Sequence, residues 1–332
     1  MQSPTMERPT VVCVGVILPL KKTRNGRMQE LLRSQADGVH FVHIDLDVVS
    51  SVEDITTKFG AFDVLLHKLA HDMIFETLGD IAAIKNMAIM NKYIQKHPHV
   101  RIVDPLAGVR LLTNRRDVCA MLATLASTSG LPFSIPNHAI IASPDDKRAF
   151  LAQVAAGAFS LPVIVKSLEA CGTDASHMMK VISCVEDVEA LAVDGPLLFQ
   201  EFVNHDGRLY KGYVLGPTIL VSERVSLPNL ERGGAKSVEF DTQSPFPTAA
   251  SFAIAPAPVV ATPSSAISAA LTESLHAIGR AIQAATQLSL FGFDVIIDAR
   301  TGQHLVIDVN YFPSFKELPD FDARMRSLMR QA

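Results

Sequence analysis

The sequence predicts an α/β protein of several lobes, the first built on a parallel sheet and the later ones mixed α+β. Three observations carry this reading. The chain has 332 residues, long for one core and comfortable for two or three lobes. Apolar runs of strand length alternate with helical patterns from Val11 to Lys96, the pattern of a parallel sheet with crossover helices. The second half instead carries a strand meander and a long hairpin.

The elements follow in order. "VVCVGVI" (11–17) reads as a buried strand, followed by the basic loop "PLKKTRNGR" and a helix near 28–35. "VHFVHIDL" (39–46) and "FDVLLHKLA" (62–70) are the next strands, and a helix fills roughly 77–96. Ligands of such sheets gather at strand carboxyl ends, where Lys21, Lys22 and Arg24 follow the first strand and Lys68 ends the third. "VRIVDPLAG" (100–108) reads as a crossing into a second lobe, with a helix at 115–127 and a strand at 137–143. "SPDDKRAFLAQVAA" is a well-signed helix, with Ser143 as N-cap, Pro144 at the first position and two aspartates in the first turn. "LPVIVK" (161–166), "MMKVIS" (178–183) and "LLFQEFV" (197–203) are strands. "YKGYVLG" and "TILVSERVS" form the meander. The stretch 248–266, broken by prolines, reads as a loop. A helix over 264–286 then leads into the hairpin "FGFDVIIDARTGQHLVIDVN" (291–310).

Composition narrows the function. The formal net charge is −4, so the basic footprint of a nucleic-acid binder is absent. No apolar run is long enough to span a membrane, and "MQSPTMERPT" lacks the apolar region of a signal peptide. Four cysteines without paired spacing (Cys13, Cys119, Cys171, Cys184) suit a reducing, cytoplasmic setting. No apolar stripe is left over, so a monomer is expected.

Several groups stand out chemically. Asp308 and Asn310 are two apart on a strand and share a face. A turn centred on Thr301 sets Asp294 opposite Asp308, at a spacing of about 5 Å. Three oxygen donors so placed suit a hard cation such as Mg²⁺; taken alone, they suit a solvated sheet face equally. Lys166 emerges from a buried strand before the small-residue loop "SLEACGTDASH". It reads either as a point charge for nucleotide phosphates or as a snorkelling lysine before a plain connector. Arg115 and Arg116 open a helix, against its dipole, which fits an anion site or a small surface penalty. His177 and His205 are ordinary polar histidines on residue type alone.

In order and spacing, "KK" after strand one, "HKL", "VIVK", "ACGTDASHMMKVI", "QEFVNHDGRLYKGYVLG", "RVSLPN", "FGFDVII" and "VIDVNYFPSFKELPDF" resemble the inositol 1,3,4-trisphosphate 5/6-kinase family, also called inositol-tetrakisphosphate 1-kinases. The similarity runs from about Val11 to Phe321. The resemblance implies an ATP-grasp fold with an N-terminal Rossmann-like parallel-sheet lobe. It implies an inositol-phosphate-binding lobe over 1–103, ATP-grasp lobes over 104–205 and 206–319, and a final helix over 320–332 packed back on the first lobe. It also implies transfer of the ATP γ-phosphate to a hydroxyl of an inositol tris- or tetrakisphosphate, with two Mg²⁺ ions.

Residue by residue, the resemblance assigns Lys22, Lys68, His177, Lys211, Asn310 and Ser314 to the inositol phosphate. Arg115, Lys166, Gln200, Glu201, Phe202, Val203, Lys211, Arg224 and Ser226 fall to ATP, and Asp294, Asp308 and Asn310 to the metal. Lys166, Asp308 and Asn310 would carry catalysis. Three positions depart from the family pattern: Ser314 replaces the usual Gly, Cys171 the usual His or Asp, and Gly212 the common Val. They bear on substrate choice rather than on activity. A carboxylate–amine ligase of the same fold would share the hairpin and Lys166 but would not need Lys22, Lys68, His177 and Lys211 together. A binding protein without catalysis would show a broken metal set.

Overall fold

The structure is a computed structural model that describes residues 11–23, 26–231, 233–255 and 267–331. Arg24, the segment "MQSPTMERPT", residues 256–266 and the side chain of Lys21 lie outside the described residues.

The first lobe holds β1 (Val12–Ile17), α1 (Leu20–Thr23), α2 (Gly26–Arg33), β2 (Val39–His43), α3 (Val52–Phe59), β3 (Val64–His67), α4 (Ala70–Thr77), α5 (Ile81–Lys96) and β4 (Arg101–Val103). Its sheet is parallel, in the order β2-β1-β3-β4. The chain winds one way from β1 and the other way from β3, so the switch point lies between those two strands. A ligand crevice opens at the carboxyl ends there. Lys22 follows β1 and Lys68 follows β3, so both stand at that crevice.

Several details differ from the sequence reading. The basic loop after β1 contains the short helix α1, and α3 and α4 are helices the sequence reading does not anticipate. The helix expected at 77–96 begins only at Ile81, because Gly79 takes a left-handed φ of 84° and Asp80 starts α5 as N-cap, accepting the Ala83 N–H at 2.8 Å. The "VRIV" crossing supplies β4, a three-residue strand too short to show periodicity.

Next come α6 (Leu106–Leu111), α7 (Arg115–Thr128), β5 (Phe133–Ser134), β6 (His138–Ile141), α8 (Pro144–Ala155), β7 (Val163–Ser167), β8 (Met178–Ile182), α9 (Val185–Ala190) and β9 (Leu197–Glu201). Then follow β10 (Arg208–Leu215), β11 (Thr218–Val225), β12 (Val238–Asp241), α10 (Ala269–Thr286), β13 (Leu290–Ile297), β14 (His304–Tyr311) and α11 (Phe321–Arg330). One antiparallel sheet runs β12-β8-β7-β9-β6, and a mixed sheet runs β11-β10-β13-β14-β5, antiparallel except for the parallel β14–β5 pair. The sheets exchange strands: β5 pairs with β14, although it precedes the central sheet in the chain, and β12 pairs with β8 after the β10–β11 hairpin.

Gly212 is explained by its cross-strand partner Phe293, whose fully buried ring covers it. A Cβ at 212 would stand 2.1 Å from that ring, and one at Gly279 on α10 would stand 2.9 Å from it.

The first and third sheets share one apolar core, and arginines bind the two ends of the chain. Arg27 donates to the carbonyls of Phe315 and Leu318, and Arg101 to those of Leu328 and Met329 at the end of α11. Arg326, buried on α11, returns bonds to the carbonyls of Leu31, Ser34, Ala36 and Val39. Charge-assisted bonds of this kind are stronger than neutral ones.

A buried polar knot holds the crevice floor. His67 accepts the Leu69 N–H on Nδ1, so its Nε2–H donates to the Asp104 carbonyl at 2.7 Å. The Tyr311 hydroxyl donates to the His67 carbonyl at 2.8 Å, and the Asp104 carboxylate accepts the N–H groups of Ser289 and Leu290. Burial pulls the His67 pKa down to about 4 and pushes that of Asp104 up to about 6. The signs are opposite. Neutral His67 contributes stability that is lost as pH falls from about 6.5 to 4, whereas Asp104 contributes stability that is lost as pH rises from about 4 to 6. The destabilisation caused by His67→Gln should therefore shrink by about 2 kcal/mol between neutral pH and about pH 4.5. Urea unfolding at the two pH values checks this, and a pH-independent loss contradicts it.

Candidate functional site

The hairpin carries the central feature. At its turn end the register pairs Ile297 with His304 and Val295 with Val306. Continued unchanged, that register would set Asp294 against Ile307 and leave Asp308 on the opposite face. A β-bulge between Asp294 and Val295 absorbs one residue of β14, and beyond it Asp294 faces Asp308 and Gly292 faces Asn310. The bulge thus puts Asp294, Asp308 and Asn310 on one face, away from the packed Phe291, Phe293 and Val309.

Lys211 extends this row onto β10. It is the cross-strand partner of Asp294, and its ammonium donates to Asp294 Oδ1 at 2.8 Å. Burial acts to lower the Lys211 pKa, but the Asp294 carboxylate more than offsets it and the pKa ends above the usual lysine value. Asn310 Nδ2 donates to Asp308 Oδ2 at 2.9 Å, and the Val309 N–H to Asp308 Oδ1 at 3.1 Å. Burial acts to raise the Asp308 pKa, but Arg115, Lys166, Asn310 and Lys211 together hold it below the usual carboxylate range. Among the described residues no three His, Cys, Asp or Glu side chains gather. A hard-cation site here therefore rests on two carboxylates and the Asn310 amide oxygen, a donor set that suits Mg²⁺.

Lys166 reaches this face from β7. It is only 3 % exposed, donates to Gln200 Oε1 at 2.9 Å and to the carbonyl of the bulge residue Ile307 at 3.3 Å. Burial lowers its pKa, opposed by the nearby Asp308 carboxylate. Arg115, at the first turn of α7, is buried. Its guanidinium turns into the loop after β7 and donates to the carbonyls of Ser167, Glu169 and Ser176. It therefore shapes the loop that leads to His177, a residue half-buried at the start of β8. Arg116 is exposed on the helix surface.

Lys22 and Lys68 converge on one acceptor. Both donate to the Phe312 carbonyl, at 2.8 and 2.9 Å, and Lys22 also reaches the Pro313 carbonyl and lies over the Phe312 ring. Burial first, then the neighbouring Lys68, pulls the Lys22 pKa down to about 6. Burial lowers that of Lys68 as well. Cys171 lies close enough for Lys68 to act on its thiol, which burial pushes up to about 11. Ser314 is exposed beside this pair, and nothing in the structure explains it in place of Gly.

The segment after β9 links the two later sheets. The N–H groups of Glu201 and Phe202 are taken by the carbonyls of Asn137 and Pro162. His205 donates through Nδ1 to the Val203 carbonyl at 2.7 Å and accepts the Ser226 hydroxyl on Nε2 at 2.8 Å. Burial lowers its pKa, consistent with a neutral ring. His205 is thus a brace between the linker and the end of β11, a role that its residue type does not announce. Arg224 bonds the Tyr213 hydroxyl and pairs with Glu317, a partner that sequence reasoning missed because 93 residues of chain separate the two. A depression of about 560 Å³ lined by Phe133, Gly302 and His304 lies at the turn end of β14, apart from all these groups.

Comparisons with known proteins match this chain to a family. The model described as "Inositol 1,3,4-trisphosphate 5/6-kinase ATP-grasp domain" matches residues 129–330, and the corresponding "pre-ATP-grasp domain" matches residues 13–109. The chain is 30% identical over 312 residues to inositol-tetrakisphosphate 1-kinase 1 of Oryza sativa subsp. indica, covering 93% of this chain and 81% of the relative. It is 29% identical to inositol-tetrakisphosphate 1-kinase of Xenopus laevis, covering 84% and 68%. Among solved structures it resembles a RimK domain ATP-grasp protein from Sphaerobacter thermophilus DSM 20745 (TM-score 0.55, 14% identity, 95% and 97% covered). It also resembles N5-carboxyaminoimidazole synthetase from Staphylococcus aureus (TM-score 0.57, 13% identity, 98% and 79% covered). At such identities these two show the fold alone, ATP-grasp.

Gln200 is the only side chain bonded to the buried Lys166 ammonium among the described residues. Gln200→Leu strands that charge and should lower stability by roughly 2 kcal/mol. Gln200→Glu, which restores an acceptor, should lose less, as chemical denaturation of the two variants will show.

Proposed function

The chain belongs to the inositol 1,3,4-trisphosphate 5/6-kinase family, and from that premise we propose how its residues divide the work of an ATP-dependent inositol phosphate kinase. One observation supports the division best. The oxygen face of Asp294, Asp308 and Asn310 and the cationic pair Lys22–Lys68 meet within a single short segment, Asp308 to Pro313. A metal–nucleotide site and a polyanion site are thus neighbours, as phosphoryl transfer requires.

Asp294, Asp308 and the Asn310 amide oxygen would hold Mg²⁺. Bound there, the metal would supply positive charge to offset that of the nucleotide phosphates. Lys166, fixed by Gln200 and the Ile307 carbonyl, presents its ammonium to nucleotide oxygens from a desolvated position, where a point charge acts strongly. Arg115 keeps the 167–177 loop in shape and lends its field from behind. The linker at 201–203 reads the adenine edge through backbone left after the Glu201 and Phe202 N–H groups are used, namely the Glu201 carbonyl and the Val203 N–H. His205 and Ser226 brace that linker.

Lys22 and Lys68 bind acceptor phosphates at the switch point of the first sheet, with His177, Lys211 and Ser314 bordering the ring. The acceptor hydroxyl oxygen forms its bond to the γ-phosphorus as the bond to the bridging oxygen of ADP breaks, and the hydroxyl proton leaves to solvent. A loose transition state asks little of a base, and Asp308, surrounded by cations, is a poor one. The lobe over 1–103 is thereby the acceptor lobe, and those over 104–205 and 206–319 close on the nucleotide.

The test is incubation with Mg-ATP and a panel of inositol tris- and tetrakisphosphates, with products resolved by phosphate position. ADP release without a phosphorylated inositol overturns the reading in favour of another ATP-grasp reaction. Asp308→Ala should abolish turnover and leave inositol phosphate binding within about 2-fold, less than 0.5 kcal/mol; equal loss of binding counts against its metal role. Lys22→Ala should raise the acceptor KM about 10-fold or more with kcat little changed, and an unaltered KM removes it from the acceptor site.

A further inference from the structure

The oxygen face of the hairpin is closed on itself. Lys211, Asp294 and Asp308 stand in line across three adjacent strands, β10, β13 and β14, because each is the cross-strand partner of the next. The Lys211 ammonium lies on Asp294 Oδ1 at 2.8 Å, with both side chains largely covered, 23 and 14 % exposed. Asp308 has one oxygen on the Asn310 amide and the other on the Val309 N–H. Two carboxylates facing each other on neighbouring strands repel, and burying them together requires a cation.

We infer that Lys211 is a resident stand-in for the metal: it neutralises Asp294 in the nucleotide-free enzyme and must leave that carboxylate before a divalent cation can bind. This rests on the metal reading above, but it adds an order of events. A bare divalent cation has to displace an ammonium whose other nearby carboxylate, Asp308, is itself a donor the cation needs. A nucleotide brings phosphate oxygens that can receive it. Displacement is therefore inexpensive only when nucleotide and metal arrive together, and Lys211 couples the two affinities. Such coupling is reciprocal: what the nucleotide does for the metal, the metal does for the nucleotide. Lys211 acts here as a positioning residue, through Asp294, before it serves any substrate.

The experiment is direct Mn²⁺ binding to the full chain, read by the electron paramagnetic resonance signal of free Mn²⁺, with and without a non-hydrolysable ATP analogue. In the unaltered protein, Mn²⁺ alone should bind weakly, and at least 10-fold more tightly once the analogue is present, after correction for the binary metal–analogue complex. Lys211→Met should bind Mn²⁺ alone at least 10-fold more tightly than the unaltered protein and show a smaller gain from the analogue. Lys211→Arg, which keeps the cation, should behave like the unaltered protein. Because Lys211→Met removes the cation from Asp294 while Asp308 still faces it, its folding is followed in parallel, and added Mn²⁺ should raise its melting temperature more than that of the unaltered protein. Unchanged nucleotide-free Mn²⁺ affinity in Lys211→Met overturns the inference. Absence of Mn²⁺ binding in every variant, with or without the analogue, would instead remove the metal reading itself.

Discussion

One extra residue in β14 decides which side chains the hairpin presents on each of its faces. Without the bulge at Ile307, the strand that carries Asp308 and Asn310 would present them to the apolar side, under α10 and the Phe293 ring, where carboxylates are not tolerated. With it, the acids and the amide join Asp294 and Lys211 in a row, and the Ile307 carbonyl becomes an anchor for Lys166 of the facing sheet. The same distortion therefore aims the donors and ties the second sheet to the third.

The charges show a consistent division. In a chain of net charge −4, cations are gathered where acidic or carbonyl oxygens can hold them. Arg27, Arg101 and Arg326 are structural, each spent on backbone carbonyls between the first lobe and the last stretch of chain, Phe315 to Met329. Lys22 and Lys68 meet on the Phe312 carbonyl, with the Pro313 carbonyl as a further acceptor for Lys22, so two ammonium groups are concentrated at one turn of backbone. Lys166 and Lys211 lie between these extremes, each held by one side-chain oxygen. No helix among the described residues is long and apolar enough to cross a membrane.

Much of this was legible in the order of residues, for physical reasons. The strand period of two placed Asp308 and Asn310 on one face, and the Asp-Ala-Arg-Thr-Gly turn placed Asp294 opposite. The reading was right at the site yet one residue off at the turn, because a bulge leaves no mark in an apolar pattern. Lys22 and Lys68 were legible as strand-end cations. Their meeting at Phe312 was not, since that carbonyl lies 244 residues beyond Lys68 and 290 beyond Lys22. Arg115 reads as a helix-start cation that either faces an anion or carries a small surface penalty, whereas its guanidinium is largely occupied by carbonyls of a loop more than fifty residues away. β4 and the break at Gly79 were missed for a local reason: three residues are too few to show a period, and a lone glycine inside a helical pattern is ambiguous.

The packing around Gly212 has a consequence for how this sequence can change. Phe293 fills the space that a side chain at 212 would need and also presses on Gly279. The three positions form one epistatic unit, divided between two neighbouring strands and a helix. A branched residue entering at 212 before the ring shrinks meets a steric wall. A smaller ring-site residue arriving first leaves a cavity beneath Lys211 and Asp294. Change at these sites must proceed by coupled steps, because either substitution made first carries its own cost, whatever the face of Lys211 and Asp294 above requires.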